Sequence, residues 1–170
     1  VTPNEETLNH AVYNRDARLV TMLLETGAVP TPDMLQTVVY RRQKWEMAQA
    51  LIAHGAVPKE ETLDYAAKSL TRGWVELLIE AGARPTPAML YNAIYNNKDY
   101  IAEALIAGGA VADEKTLNYA VNNRDAIWVT MLVEAGAMPL PDMLYTAVSY
   151  QKWRIADALI AGGAVPDERT

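Results

Sequence analysis

A Gly-Ala step returns six times along this chain, at Gly27-Ala28, Gly55-Ala56, Gly82-Ala83, Gly109-Ala110, Gly136-Ala137 and Gly163-Ala164. The intervals are 28, 27, 27, 27 and 27 residues. A fixed period in this range marks a repeat architecture, because each unit is too small to bury its own apolar face and stacks on its neighbours instead. Such a chain presents a surface more readily than a catalytic cleft.

The units open at Thr7, Met34, Thr62, Met89, Thr116 and Met143, giving one repeat domain over 1–170 divided as 1–33, 34–61, 62–88, 89–115, 116–142 and 143–170. Leu8, Leu35, Leu63, Leu90, Leu117 and Leu144 are equivalent, and three and four residues later come pairs such as Ala11-Val12 and Val38-Val39. Apolar residues at i, i+3 and i+4 describe one face of a helix. A second stripe, such as Leu19, Val20, Leu23 and Leu24, predicts a second helix ending at the Gly-Ala step. Gly there suits a left-handed C-cap. Pro30, Pro58, Pro85, Pro139 and Pro166 then block continuation, with Ala112 the exception. Thr31-Pro32 and Thr86-Pro87 place a Thr N-cap before Pro at the first helical position. Thr2-Pro3-Asn4-Glu5 fits a capping box, and Glu60-Glu61 and Asp113-Glu114 suit the positive end of a helix dipole. The leucines equivalent to Leu8 are expected at the centre of the core.

A longer period overlies the first. Odd units carry bulky second helices (Met22-Leu23-Leu24, Leu77-Leu78-Ile79, Met131-Leu132-Val133), and even units carry Ala-rich ones (Ala50-Leu51-Ile52-Ala53, Ala104-Leu105-Ile106-Ala107, Ala158-Leu159-Ile160-Ala161). The expected fold class is therefore all-α: an α-solenoid of six stacked helix–turn–helix repeats, arranged as three double repeats of 54 residues.

The stretch from Thr116-Leu117-Asn118-Tyr119-Ala120-Val121 to Val129-Thr130-Met131-Leu132-Val133-Glu134-Ala135-Gly136-Ala137 resembles an ankyrin repeat, as does Val20 to Ala28. The resemblance runs along nearly the whole chain and is a packing pattern. The ankyrin unit is about 33 residues, and its Thr-Pro-Leu-His opening is not intact here. The loop after Gly-Ala is too short for a β-hairpin finger. The resemblance implies partner binding on a face built from first helices.

Between the core positions, the first helices hold Asn9, His10, Tyr13, Asn14, Tyr40, Arg41, Tyr65, Tyr91, Asn92, Tyr95, Asn96, Asn118, Tyr119, Asn122, Asn123, Tyr145 and Tyr150. Eight of the nine Tyr residues fall in this set and Tyr100 does not, while Phe is absent. Tyr supplies rigid amphipathic contact area and Asn supplies both donor and acceptor, a combination suited to an extended peptide. Tyr rings that simply fill space between neighbouring first helices give the same pattern. Trp45, Trp74, Trp128 and Trp153 open second helices, where packing at the outer rim is expected.

Arg15, Arg41, Arg42, Lys44, Arg72, Lys98, Arg124, Lys152 and Arg154 gather at inter-helix turns. Dipole compensation explains them, and steering of an acidic partner is the functional counterpart. The net charge of −6 argues against nucleic-acid binding through phosphates. No apolar run is long enough to span a bilayer. With no Cys, no zinc spacing, no phosphate-binding Gly loop and only His10 and His54 as histidines, neither catalysis nor a metal or cofactor is expected. His54 takes a place that Gly108 and Gly162 fill in other units, which makes it a helix-end substitution. Neither end carries a specialised polar cap. The expected roles are thus a protein- or peptide-binding scaffold, or a subunit that stacks end to end into filaments or other homo-oligomers.

Overall fold

A computed structural model describes residues 5–168, so Thr2, Pro3 and Asn4 of the expected capping box lie outside the described residues. The chain groups into two compact units, Val1–Arg84 and Pro85–Thr170. The first contains α1 (Glu5–Tyr13), α2 (Ala17–Glu25), α3 (Pro32–Tyr40), α4 (Trp45–Ala53), α5 (Glu60–Ser69) and α6 (Arg72–Glu80). The second contains α7 (Pro87–Tyr95), α8 (Asp99–Ala107), α9 (Glu114–Asn123), α10 (Ala126–Glu134), α11 (Pro141–Ser149) and α12 (Trp153–Ala161). The described residues are all-α, and within each unit the helices pack in chain order as a helical repeat. In the first unit α3 lies between α1 and α5, and α2 packs on α4; in the second α9 lies between α7 and α11, and α10 packs on α12. Within each unit the first helices line up as one layer, and each second helix packs against its own first helix.

Helices of nine or ten residues are marginal alone, so burial between them carries the fold. The six equivalent leucines are fully or almost fully buried, joined by Val20, Met47, Leu51, Val75 and Leu78 in the first unit and by Ile101, Leu105, Val129, Leu132 and Leu159 in the second. Not all of the bulky odd-unit residues join this core, since Met22 is exposed. The large-against-small alternation does operate in the second unit. A Cβ on Gly162 would come within 2.6 Å of the Val133 side chain, so the Ala-rich strip admits that residue only because Gly162 is bare.

The Gly-Ala step closes every second helix. Gly27 has φ 98°, and the other five glycines of this step have φ between 90° and 99°. Around the first, Gly27 N–H donates to Leu24 O at 3.0 Å and Ala28 N–H donates to Leu23 O at 3.0 Å. This is a Schellman motif. The Ala that follows is buried in all six units, which is why a small residue recurs there. Pro after the step lacks an N–H, whereas Ala112 keeps one and donates it to Ala135 O at 3.0 Å in the next helix pair.

Thr31 and Thr86 cap α3 and α7 through Met34 N–H and Met89 N–H, as expected, and Pro occupies the first turn of both helices. Asp113 caps α9 through Thr116 N–H at 2.8 Å and also accepts from the Thr116 hydroxyl. The equivalent start of α5 has Lys59 as N-cap with no side-chain cap, and the buried Thr62 hydroxyl there is unpartnered. The 28-residue interval also finds its place: one additional residue sits in the α3–α4 turn, beside Gln43, whose buried side chain has no partner at either polar atom.

First helices end in two ways. At α1, α3, α7 and α11 a non-Gly residue takes the left-handed conformation: Arg15, Arg42, Asn97 and Gln151, at φ 62°, 49°, 55° and 56°. The helices α5 and α9 run one residue longer and leave through extended residues, Leu70 and Arg124.

Candidate functional site

The Tyr and Asn residues emerge between core positions of the first helices, and each unit gathers part of the set. In the first unit Tyr40 and Tyr65 place their ring centroids 4.5 Å apart. The Tyr65 hydroxyl donates to Tyr40 O at 3.3 Å, the Tyr40 hydroxyl to Glu61 O at 3.4 Å, and Gln36 Nε2 to the Tyr40 hydroxyl at 3.0 Å. Tyr13 is exposed beneath the Arg41 guanidinium, which sits 4.0 Å from its ring centre. The hydrogen bond and the charge of Arg41 pull the Tyr13 phenol below its ordinary pKa.

In the second unit Tyr91, Tyr95 and Tyr119 form an aromatic triangle. Centroid distances are 5.9 Å for Tyr91–Tyr95, 5.9 Å for Tyr91–Tyr119 and 5.4 Å for Tyr95–Tyr119. These are the offset and edge-on separations at which aromatic pairs attract. Tyr91 and Tyr119 are half-buried and Tyr95 is exposed, so the triangle has both a packed and a solvent-facing side. Lys115 Nζ lies 3.8 Å above the Tyr91 ring. Tyr145 and Tyr150 are exposed on and just after α11.

The Asn residues divide their bonding capacity. Asn96 Nδ2 donates to Asn92 O at 2.7 Å, Asn122 Nδ2 to Asn118 O at 2.8 Å, and Asn123 Nδ2 to Tyr119 O at 3.0 Å. These amides fold back onto carbonyls in the last turn of their own helices. Asn14 pairs with the His10 ring at 3.0 Å, while Asn9 and Asn118 are exposed. The rings thus pack on each other between first helices, and Tyr40 and Tyr95 keep exposed edges.

Several turn cations meet helix ends. Arg42 Nη2 donates to Ser69 O at 3.2 Å, and Lys152 Nζ donates to Val121 O and Asn122 O at 2.8 Å each. Arg124 Nη1 donates to Asn97 Oδ1 at 2.6 Å, Nη2 pairs with Asp99, and the guanidinium stands 5.2 Å from the Trp128 ring centre. His54 bonds Ala50 O at 2.9 Å at the end of α4. Dipole compensation thus accounts for much of the basic edge.

The tryptophans differ in burial. Trp128 is buried, Trp45 and Trp74 are half-buried with centroids 4.9 Å apart edge to face, and Trp153 is 59% exposed. Trp153 borders an open groove of about 500 Å³ with Asp125, Ile127, Gln151 and Arg154. This groove and the cation over the Tyr triangle escaped sequence reading. Lys115 occupies the position of Glu6 and Glu61 in the other odd units, and that departure was its only signal.

No protein-family description and no curated protein matches this chain. No described helix is long and apolar enough to cross a membrane.

Proposed function

We propose that this protein is a non-enzymatic interaction scaffold that holds a protein or an extended peptide against its first-helix Tyr/Asn face. The observation that carries the reading is the Tyr91–Tyr95–Tyr119 triangle with Lys115 above it. Three rings held by mutual packing lose little rotamer freedom on binding, which lowers the entropic cost of engaging a partner. Asn96 and Asn123 each spend one amide N–H on their own helices, which leaves the second N–H and the amide oxygen for a partner. The resemblance to ankyrin repeats supports the same use of first helices.

Panning a random-peptide display library on the intact chain tests the reading. Enriched peptides are expected to lose at least about tenfold in affinity by calorimetry when Tyr91, Tyr95 and Tyr119 are replaced by Ala, with the circular-dichroism spectrum unchanged. Peptides that bind the triple variant as well as the parent, or a library that yields no enrichment, overturn it.

A further inference from the structure

We infer that the groove between the C-terminal ends of α8 and α10 binds a basic, apolar segment of a partner protein, with an aliphatic side chain in the groove and a Lys or Arg on Glu134. The groove is open, measures about 490 Å³ and lies wholly within the second unit. Ile106, Val111 and Met131 line it with apolar surface, and Glu134 is the one ionisable side chain in the lining. Second helices and the loops after them build it, so it is distinct from the first-helix Tyr/Asn face.

The backbone holds this groove in shape. Ala112 stands where the other units have Pro, and its N–H donates to Ala135 O at 3.0 Å, which ties the α8–α9 loop to the end of α10. Val111 is thereby kept beside Gly136, its Cγ1 3.4 Å from where a Cβ would stand, and remains exposed. Pro at position 112 has no proton to give. Apolar surface fixed in this way loses little freedom when a partner covers it.

Local preferences are broken along the same edge. Glu134 closes α10 at the end where the helix dipole disfavours a carboxylate, and among the described residues it pairs with no cation. Met138, two residues beyond Gly136, is 77% exposed. Leu140 stands where Thr31 and Thr86 cap their helices, and it gives α11 no side-chain cap. Such departures, with no gain to the fold, mark places where a chain binds something.

Charge selects the partner. The corresponding places in the first unit hold Ile52, Val57, Leu77 and Glu80, so the groove belongs to the junction of an even helix pair with the odd pair that follows. One difference stands out. Arg84 lies four residues after Glu80, whereas Met138 lies four residues after Glu134. The first unit thus carries a cation of its own at this place, and the second carries an apolar side chain. The flanking loops add Asp113, Glu114 and Asp142 against Lys115, whose Nζ sits over the Tyr91 ring. A negative edge beside apolar surface favours a cation next to an aliphatic group and repels nucleic acid and anionic lipid. The partner's cation forms a charge-assisted hydrogen bond with Glu134 and offsets the dipole at the end of α10.

Panning the intact chain with a display library built only from Lys, Arg, Leu, Ile, Val, Gly and Ser tests the inference. A library with Asp and Glu in place of Lys and Arg serves as control and should yield nothing. Enriched peptides are expected to shift the backbone amide resonances of Val111, Glu134 and Gly136. Glu134→Lys should weaken them at least about tenfold, while its melting temperature holds or rises because Lys suits a helix C-terminus. Glu25→Lys makes the same charge change at the corresponding residue of α2 and should leave affinity within about twofold. The inference is overturned by a library that yields no enrichment or by equal losses in the two variants. Shifts confined to the first helices overturn it too, and would assign the peptides to the Tyr/Asn face. So do shifts at the groove that grow with protein concentration alone, which would make a second copy its occupant.

Discussion

The two compact units are built from the same repeat, yet among the described residues the buried side-chain polar atoms without a partner all lie in the first. In the second unit Asp113 caps α9 and takes the Thr116 hydroxyl; in the first the same place holds Lys59, and the Thr62 hydroxyl is buried without a partner. Asn123-Arg124-Asp125 runs extended at Arg124, with the guanidinium held by Asn97 and Asp99. Asn14-Arg15-Asp16, the same three residues, turns left-handed at Arg15. One tripeptide thus takes two backbone paths, and only the extended one has its guanidinium held by Asn97 and Asp99. A non-Gly residue at positive φ carries a cost of about 1–2 kcal/mol, which is within reach of a pair of charge-assisted hydrogen bonds. The Gln43 side chain adds a second unpaired group to the first unit.

Three experiments probe this contrast. The largest effect should be shared by both units: Leu63→Ala and Leu117→Ala each remove a fully buried side chain and should lower unfolding free energy by about 3 kcal/mol. Denaturant titration of each variant measures it, and a large inequality would mean that the units differ in core as well as in caps. The cap comparison comes next. Asp113→Ala should cost about 1–2 kcal/mol, while Lys59→Asp should add about 1 kcal/mol by supplying the missing acceptor. Thermal melts decide the sign, and a destabilising Lys59→Asp would show that the exposed Lys59–Asp33 pair outweighs a cap. The turn comparison is smallest. Arg124→Ala should cost about 1 kcal/mol and Arg15→Ala less than about 0.5 kcal/mol, both measured by denaturant titration. Equal losses would remove the distinction between the two turns.

Much of this molecule could be read directly from residue order. The Gly-Ala beat marked all six C-caps, Thr31 and Thr86 announced their helices, and Leu8 with its equivalents marked the core. These features depend on local geometry: a left-handed φ, an N-cap acceptor, a helical period. The aromatic face was legible as a set of residues, but its grouping into a Tyr40–Tyr65 pair and a Tyr91–Tyr95–Tyr119 triangle was not. Ring contact depends on rotamers and on the offset between neighbouring helices, and neither has a period in the sequence. Lys115 and Gln36 were missed for the same reason, since each acts only through a ring or hydroxyl brought beside it.

By itself the sequence determined the repeat, the helix ends and the buried stripe, because backbone preference and apolar spacing act over a few residues. Tertiary structure alone decided that Asn-Arg-Asp would follow one path at Arg15 and another at Arg124, and that Trp128 would be buried while Trp153 stayed exposed. Those outcomes depend on the groups a neighbouring helix pair places within a few ångströms, and identical short segments meet different neighbours.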